Sequence, residues 1–283
     1  MNIGIRLHDL DGQGLEEKLI RARELGFTCV HLALSKVVPD FSMQDARLRL
    51  TRAYAKTVRG LLTRHGLQAA VLGCYLNLAT PDEAELKITT ECYLSHLRFA
   101  AWIGAKVVGT ETGAPAKAHG EAPERFPEDS LKLFIERLWP VVKAAEEVNV
   151  PLAIEPVCRH IVHTPQSAKA VLEAFRSPQC KIILDPVNLL NAGNAASQEE
   201  IFTEALALLG KDIEVIHWKD YQAAGGEFKT VAAGMGEMKG ESILRFAAAH
   251  EHMPITLENT DPSNASRVRA ALAVQLSGLA ETR

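Results

Sequence analysis

Residues 213–220 read IEVIHWKD, and the way this run ends decides how the chain folds. A stretch rich in β-branched and apolar residues is expected to be a buried strand, yet it closes on His217, Lys219 and Asp220. Strand side chains alternate, so Val215, His217 and Lys219 share one face, while Ile216 and Trp218 share the other. A strand apolar on both faces and polar only at its C-terminal end belongs in a parallel sheet that opens into a site.

The pattern repeats outward in both directions. The candidate strands are IGIRLH from Ile3, TCVHLAL from Thr28, QAAVLGC from Gln68, AKVVGT from Ala105, VPLAIE from Val150, KIILD from Lys181, IEVIHWK from Ile213 and MPITLE from Met253. Segments with helical periodicity separate them, at roughly 14–25, 44–65, 82–103, 127–148, 165–175, 197–209, 240–250 and 262–279. Thr80 and Thr164, each followed by proline, are expected N-caps. The glycines of ARELGF, TRHGLQ and AAWIGAK are expected helix ends. Eight βα units in 283 residues, without a low-complexity linker, predict an α/β fold with one domain over residues 1–283, a single (β/α)8 TIM barrel. A doubly wound sheet would favour a glycine-rich first turn, and RLHDLDGQG does not match G-x-G-x-x-G.

Composition narrows the function classes. Apolar residues at 47% and charged residues at 23% suit a globular core, and the net charge of −4, without a basic run, argues against a nucleic-acid partner. No run of about 18 apolar residues and no signal-like N-terminus is seen, so a cytoplasmic protein without a membrane partner is expected. Five scattered cysteines without a Cys-x-x-Cys pair point to reduced thiols rather than a disulfide or zinc framework.

In such a barrel, chemistry sits at the C-terminal ends of the strands. Four successive strands end in AIEP, ILDP, VIHWKD and ITLEN, placing Glu155, Asp185, His217 and Glu258 around one side of the mouth. Three carboxylates that close together need a counter-charge, and one divalent metal is the simplest supply. The oxygen-dominated set suits Mn²⁺ first, with Mg²⁺, Co²⁺ or Zn²⁺ as alternatives. The competing reading is a buried ion-pair network neutralised by Lys219 and Arg159. Lys219 is expected to hold a substrate group or a developing oxyanion; its alternative is a solvated lysine pairing with Asp220. Trp218 should pack outward. His8, Arg159, His160 and Asn188 are candidate substrate contacts. His31, Asn77 and Glu111 are expected to be structural, and His65, His96, His250 and His252 to be surface residues.

These motifs resemble the xylose isomerase-like barrels known as sugar phosphate isomerases/epimerases, or AP endonuclease family 2. The resemblance covers essentially the whole chain. It is most specific from Glu155 to Glu258, through AIEPV, HTPQSAKAVLEAF, IILDPVNLLNAG, VIHWKDY, AAGMGEMKGESIL and ITLEN. It implies that Glu155, Asp185, His217 and Glu258 bind one divalent metal, and that Glu155 and Glu258 exchange protons with the two faces of a small carbohydrate. The implied activity is a sugar or sugar phosphate isomerase/epimerase working through an enediolate. Alternatives are a lyase or dehydratase acting on 3-keto-glycosides or inososes, and a non-catalytic sugar-binding barrel. An endonuclease-IV-like activity is disfavoured by the missing extra histidines and basic loops. A homo-oligomer is permitted. Asn188 departs from the resemblance, standing where many relatives carry histidine; an amide cannot act as acid or base near neutrality.

Overall fold

The computed structural model describes residues 2–115, 122–224 and 226–281. Eight parallel strands close into a barrel: β1 (Asn2–Arg6), β2 (Cys29–Leu32), β3 (Gln68–Gly73), β4 (Val107–Glu111), β5 (Leu152–Glu155), β6 (Cys180–Leu184), β7 (Ile213–Trp218) and β10 (Pro254–Leu257). They follow one another around the barrel, with β10 pairing back onto β1. These are the eight strands expected from the sequence. Two further strands, β8 (Asp220–Ala224) and β9 (Glu227–Val231), form an antiparallel hairpin after β7. They escaped the sequence reading because QAAGGEFK carries no long apolar run.

The helices are α1 (Gly14–Glu24), α2 (Leu34–Val37), α3 (Ala46–Arg49), α4 (Arg52–Arg64), α5 (Glu83–Ile103), α6 (Ser130–Val148), α7 (Pro165–Phe175), α8 (Gln198–Leu209), α9 (Glu241–Ala249) and α10 (Ala265–Glu281). The helix expected over 44–65 is broken, because the Thr51 hydroxyl accepts the Tyr54 N–H and starts α4 anew. Thr164 forms a capping box with Ser167, as its sequence suggests. Thr80 does not cap α5. Asp82 does, accepting from the N–H groups of Ala84 and Glu85 at 2.8 and 3.0 Å, because its carboxylate sits next to the first turn and Thr80 lies two residues too early. Gly26, Gly66 and Gly104 close α1, α4 and α5 at φ of 81°, 61° and 76°, where an L side chain is strained.

Alternation divides the core in two. Val215 joins Cys29, Ala70, Val71, Val107, Ala153 and Ile183 inside the barrel, whereas Ile216 and Trp218 belong to the larger layer between sheet and helices. The barrel interior is therefore filled by side chains, and the space within the barrel opens at the strand ends.

Candidate active site

At that mouth lies a cavity of about 550 Å³, whose lining includes Glu155, Lys219 and Glu258. Glu155 ends β5, Asp185 directly follows β6, His217 lies near the end of β7 and Glu258 directly follows β10. All four are at most 5% exposed. His217 Nδ1 is 3.2 Å from Glu155 Oε2 and 3.3 Å from Glu258 Oε1, and it makes no hydrogen bond. One ligand atom each from Glu155, Asp185 and His217 come within 4.8 Å of one another, as do those of His31, His217 and Glu258. The four expected ligands, together with His31, thus form two triads that share His217.

His31 is an addition to the expected set. Placed on β2, it is 2% exposed, stacks on His217 with ring centroids 5.0 Å apart, and brings Nδ1 to 3.5 Å from Glu258 Oε1. Its Nε2 meets the Tyr75 hydroxyl at 3.0 Å. A histidine inside an apolar strand carries no sequence mark that separates a site residue from a packed one, which is why the sequence points to a structural role for His31. Glu111 was read the same way, yet it lines the cavity and pairs with His160 Nδ1 at 3.4 Å. Arg6 joins the mouth without a motif to mark it. It ends β1 and reaches Asp9 Oδ1 at 2.9 Å and Glu258 Oε2 at 3.4 Å. Its only signal was a charge at the end of IGIRLH.

Lys219 is buried, which corrects the picture of a solvated lysine pairing with Asp220. Its Nζ lies 2.7 Å from Asp185 Oδ2 and 3.2 Å from Glu258 Oε2. Asp220 turns away, accepting backbone N–H groups from Tyr221, Gly234, Gly236 and Met238 and so fixing the loop after the hairpin. The ion-pair network weighed against a metal site is therefore present around Lys219, with Arg6 as its second cation. Arg159 lines the cavity wall from an exposed position.

Asn188 donates from Nδ2 to Glu155 Oε1 at 2.6 Å, so the amide orients the carboxylate. His8 lines the cavity. Asn77 is structural, its amide bridging the Ala114 carbonyl and the Ala79 N–H. His250 and His252 are exposed and His65 is half-buried, but His96, expected at the surface, is fully buried. The α5 face that carries it packs inward, and an imidazole is small and apolar enough to follow. Asn259 takes φ of 55° beside Glu258, a conformation asparagine tolerates, and donates to Thr230 Oγ1 of β9 at 3.0 Å. The hairpin is thereby tied to the mouth.

Burial separates the titrations. Desolvation, then the Glu258 charge, lifts Glu155 to about 7. Desolvation lifts Asp185 to about 6 against the pull of Lys219. Burial followed by the Glu155 charge brings Glu111 to about 7. Glu258 moves the other way: burial would raise it, but His217, Lys219, His31 and Arg6 hold it well below the usual carboxylate range. Burial keeps His217 and His31 below the usual imidazole value, so the standing positive charge comes from Lys219 and Arg6. Glu155 and Glu258 titrate as one coupled pair.

The donors fit a cation. Among the described residues, both His217 nitrogens and His31 Nδ1 are buried without a hydrogen-bond partner, while Asp185 Oδ2 meets only the Lys219 ammonium. A lone-pair-bearing nitrogen facing two carboxylate oxygens is repulsive unless positive charge stands near.

A closed βα barrel with a cluster of possible metal ligands at its C-terminal mouth defines the class as a TIM barrel. The chain belongs to the xylose isomerase-like TIM barrel family, whose pattern matches residues 19–276. No curated protein matches at a significant level. The chain is similar to a D-tagatose 3-epimerase-like protein at 18% identity, TM-score 0.76, covering 100% of this chain and 99% of that one. It is also similar to the "probable 3-DHS dehydratase AsbF" from Bacillus anthracis at 14% identity, TM-score 0.73, covering 97% and 98% of the two chains. The IOLI protein, crystallised with a zinc atom, matches at 15% identity and TM-score 0.69 over 100% of this chain and 99% of that one.

Proposed function

We propose that this chain is a divalent-metal-dependent isomerase/epimerase of sugars or sugar phosphates, moving a proton beside a carbonyl through an enediolate. The observation that carries the reading is the pair Glu155 and Glu258, both buried, set on either side of His217 Nδ1 and pushed in opposite directions in proton affinity. Two carboxyls whose environments split their pKa values are suited to be base and acid at one pH.

Glu258, held ionised, takes the α-proton. Glu155, supplied with a proton from solvent, returns one to the other face of the planar intermediate. Asn188 keeps Glu155 Oε1 in place through its 2.6 Å hydrogen bond. Lys219, between Asp185 and Glu258, donates to the oxygen on which negative charge develops. His8, Arg159 and, through Glu111, His160 meet the remainder of the substrate. A divalent ion held by Glu155, Asp185, His217 and Glu258, with His31 beside them, would add Lewis-acid charge at the carbonyl and its neighbouring hydroxyl. Imidazole together with carboxylate favours Mn²⁺, Co²⁺ or Zn²⁺ over Mg²⁺.

The similarity to a described dehydratase supports a second outcome from the same enolate, loss of a leaving group from a 3-keto-glycoside or inosose. The test is metal analysis of the purified protein, followed by solvent deuterium exchange into ketoses, 3-keto-glycosides and inososes with Mn²⁺ added. Glu155→Gln and Glu258→Gln should each lose about 10²–10⁴-fold in exchange. Exchange without elimination marks the isomerase, elimination marks the lyase, and absence of both metal and exchange would leave a binding barrel.

A further inference from the structure

A second set of metal-ligating side chains lies where β3 meets α5. Cys74 directly follows β3, while Cys92 and His96 stand one turn apart on α5 and so face the same way. They are 0%, 2% and 0% exposed. One ligand atom from each lies within 4.8 Å of the other two. Cys92 Sγ is 3.5 Å from His96 Nδ1 and 3.3 Å from the Met43 carbonyl oxygen. His96 Nδ1 also meets the Cys92 carbonyl at 2.9 Å, and its Nε2 is buried without a hydrogen-bond partner. The scattered spacing of the cysteines, which argued for isolated thiols, conceals this convergence because a strand end and a helix face bring it about.

We propose that Cys74, Cys92 and His96 form a second metal site, distinct from the mouth, that takes a thiophilic divalent cation of the zinc class. Two sulfurs and one imidazole are the donors such an ion selects, with metal–ligand lengths of about 2.0–2.3 Å that this spacing can accommodate. The charge count favours a divalent ion: two thiolates and a dication sum to zero, the state an apolar layer accepts, whereas a monovalent soft ion would leave a buried negative charge. The Met43 carbonyl oxygen is at hand for a fourth position. Bound there, the ion cross-links the end of β3 to α5. Cys74 precedes Tyr75, whose hydroxyl meets His31, so the cross-link also steadies the root of the segment that carries Tyr75 to the mouth.

Cobalt distinguishes the two sites. Co²⁺ titrated into the reduced, chelator-treated full chain should give an intense thiolate-to-metal charge-transfer band in the near ultraviolet, saturating at one equivalent and displaced by Zn²⁺. A carboxylate and imidazole site gives only weak visible bands. The charge-transfer band should disappear in Cys92→Ser, shift or weaken in His96→Gln, and persist in Glu155→Gln, which alters only the mouth. Absence of the band from the wild-type chain, its persistence undiminished in Cys92→Ser, or a Cys74–Cys92 disulfide in the purified protein would overturn the proposal. Should Cys92→Ser fail to fold, the wild-type chain decides by itself: Zn²⁺ must slow alkylation of two cysteines relative to chelator-treated protein, and equal rates refute the site. Failure here leaves the proton-transfer reading of the mouth intact, and failure of deuterium exchange leaves this one intact.

Discussion

Replacing Lys219 with methionine tests how the mouth balances its charge. The ammonium lies 2.7 Å from Asp185 Oδ2 and 3.2 Å from Glu258 Oε2, on a side chain only 5% exposed. At an effective dielectric of about 20, the two pairs are worth about 6 and about 5 kcal/mol before desolvation. Stripping the ammonium of water returns several kcal/mol of that, so Lys219→Met should cost the metal-free protein about 3–5 kcal/mol. The pH dependence follows from the carboxyl groups left behind. Asp185 and Glu155 already titrate at about 6 and about 7 with Lys219 pulling them down, so its loss raises both. A folded-state carboxyl pKa above the unfolded value means that the folded chain binds more protons. The penalty is then full above the folded pKa values and fades as pH falls toward the unfolded ones. Urea unfolding of both proteins in chelator should show the largest gap at about pH 8 and a smaller one at about pH 5. A divalent ion should restore part of the loss at the higher pH. A variant within about 1 kcal/mol of wild type at about pH 8, or a gap that widens on acidification, would refute the reasoning.

Other residues give sharper local readouts. Asp220→Ala strips four backbone N–H groups of their acceptor, two of them at 2.8 Å, and should cost about 3 kcal/mol while speeding amide exchange over residues 234–238. Gly73→Ala puts a Cβ 2.6 Å from Tyr75 Cε2 and 3.1 Å from His31 Nε2; a loss of about 1–3 kcal/mol in urea and shifted His31 ring resonances are expected. Thr164→Ala removes the capping box of α7 and should lower stability by about 1 kcal/mol, with no change in metal content. His8, lowered to about 4 by burial and then by the Arg6 charge, should remain neutral between about pH 5 and 8 in an NMR titration, whereas an exposed histidine titrates near 6.5.

What could be read from the sequence follows from how each residue gets its position. A barrel strand must be apolar on both faces, so a charge at its end stands out, and Glu155, Asp185, His217 and Glu258 were visible for that reason. The fold was legible on the same grounds, since eight apolar runs separated by helical segments admit few closures. His31, Tyr75 and Glu111 reach the mouth from the first half of the barrel, where the polar group is embedded in a run that could be packing. Arg6 enters by pairing with Asp9 and Glu258, a contact 252 residues apart in the chain. The hairpin β8–β9 was hidden because it is short and is tied down by Asp220 and by the Asn259–Thr230 bond, neither of which shows as apolar periodicity. The fate of Lys219 illustrates the limit most clearly. Strand alternation assigns its face, but only the closure of β10 beside β7 brings Glu258 within reach. A lysine that local sequence would pair with its neighbour is thereby committed to two carboxylates across the mouth. The charge the mouth needs is thus supplied in part by the chain itself, and a divalent ion entering beside Lys219 must lower the energy of donors already half neutralised. Metal affinity should for that reason rise, not fall, in Lys219→Met, an outcome that isothermal titration with Mn²⁺ can read directly and that a purely structural role for the four ligands does not predict.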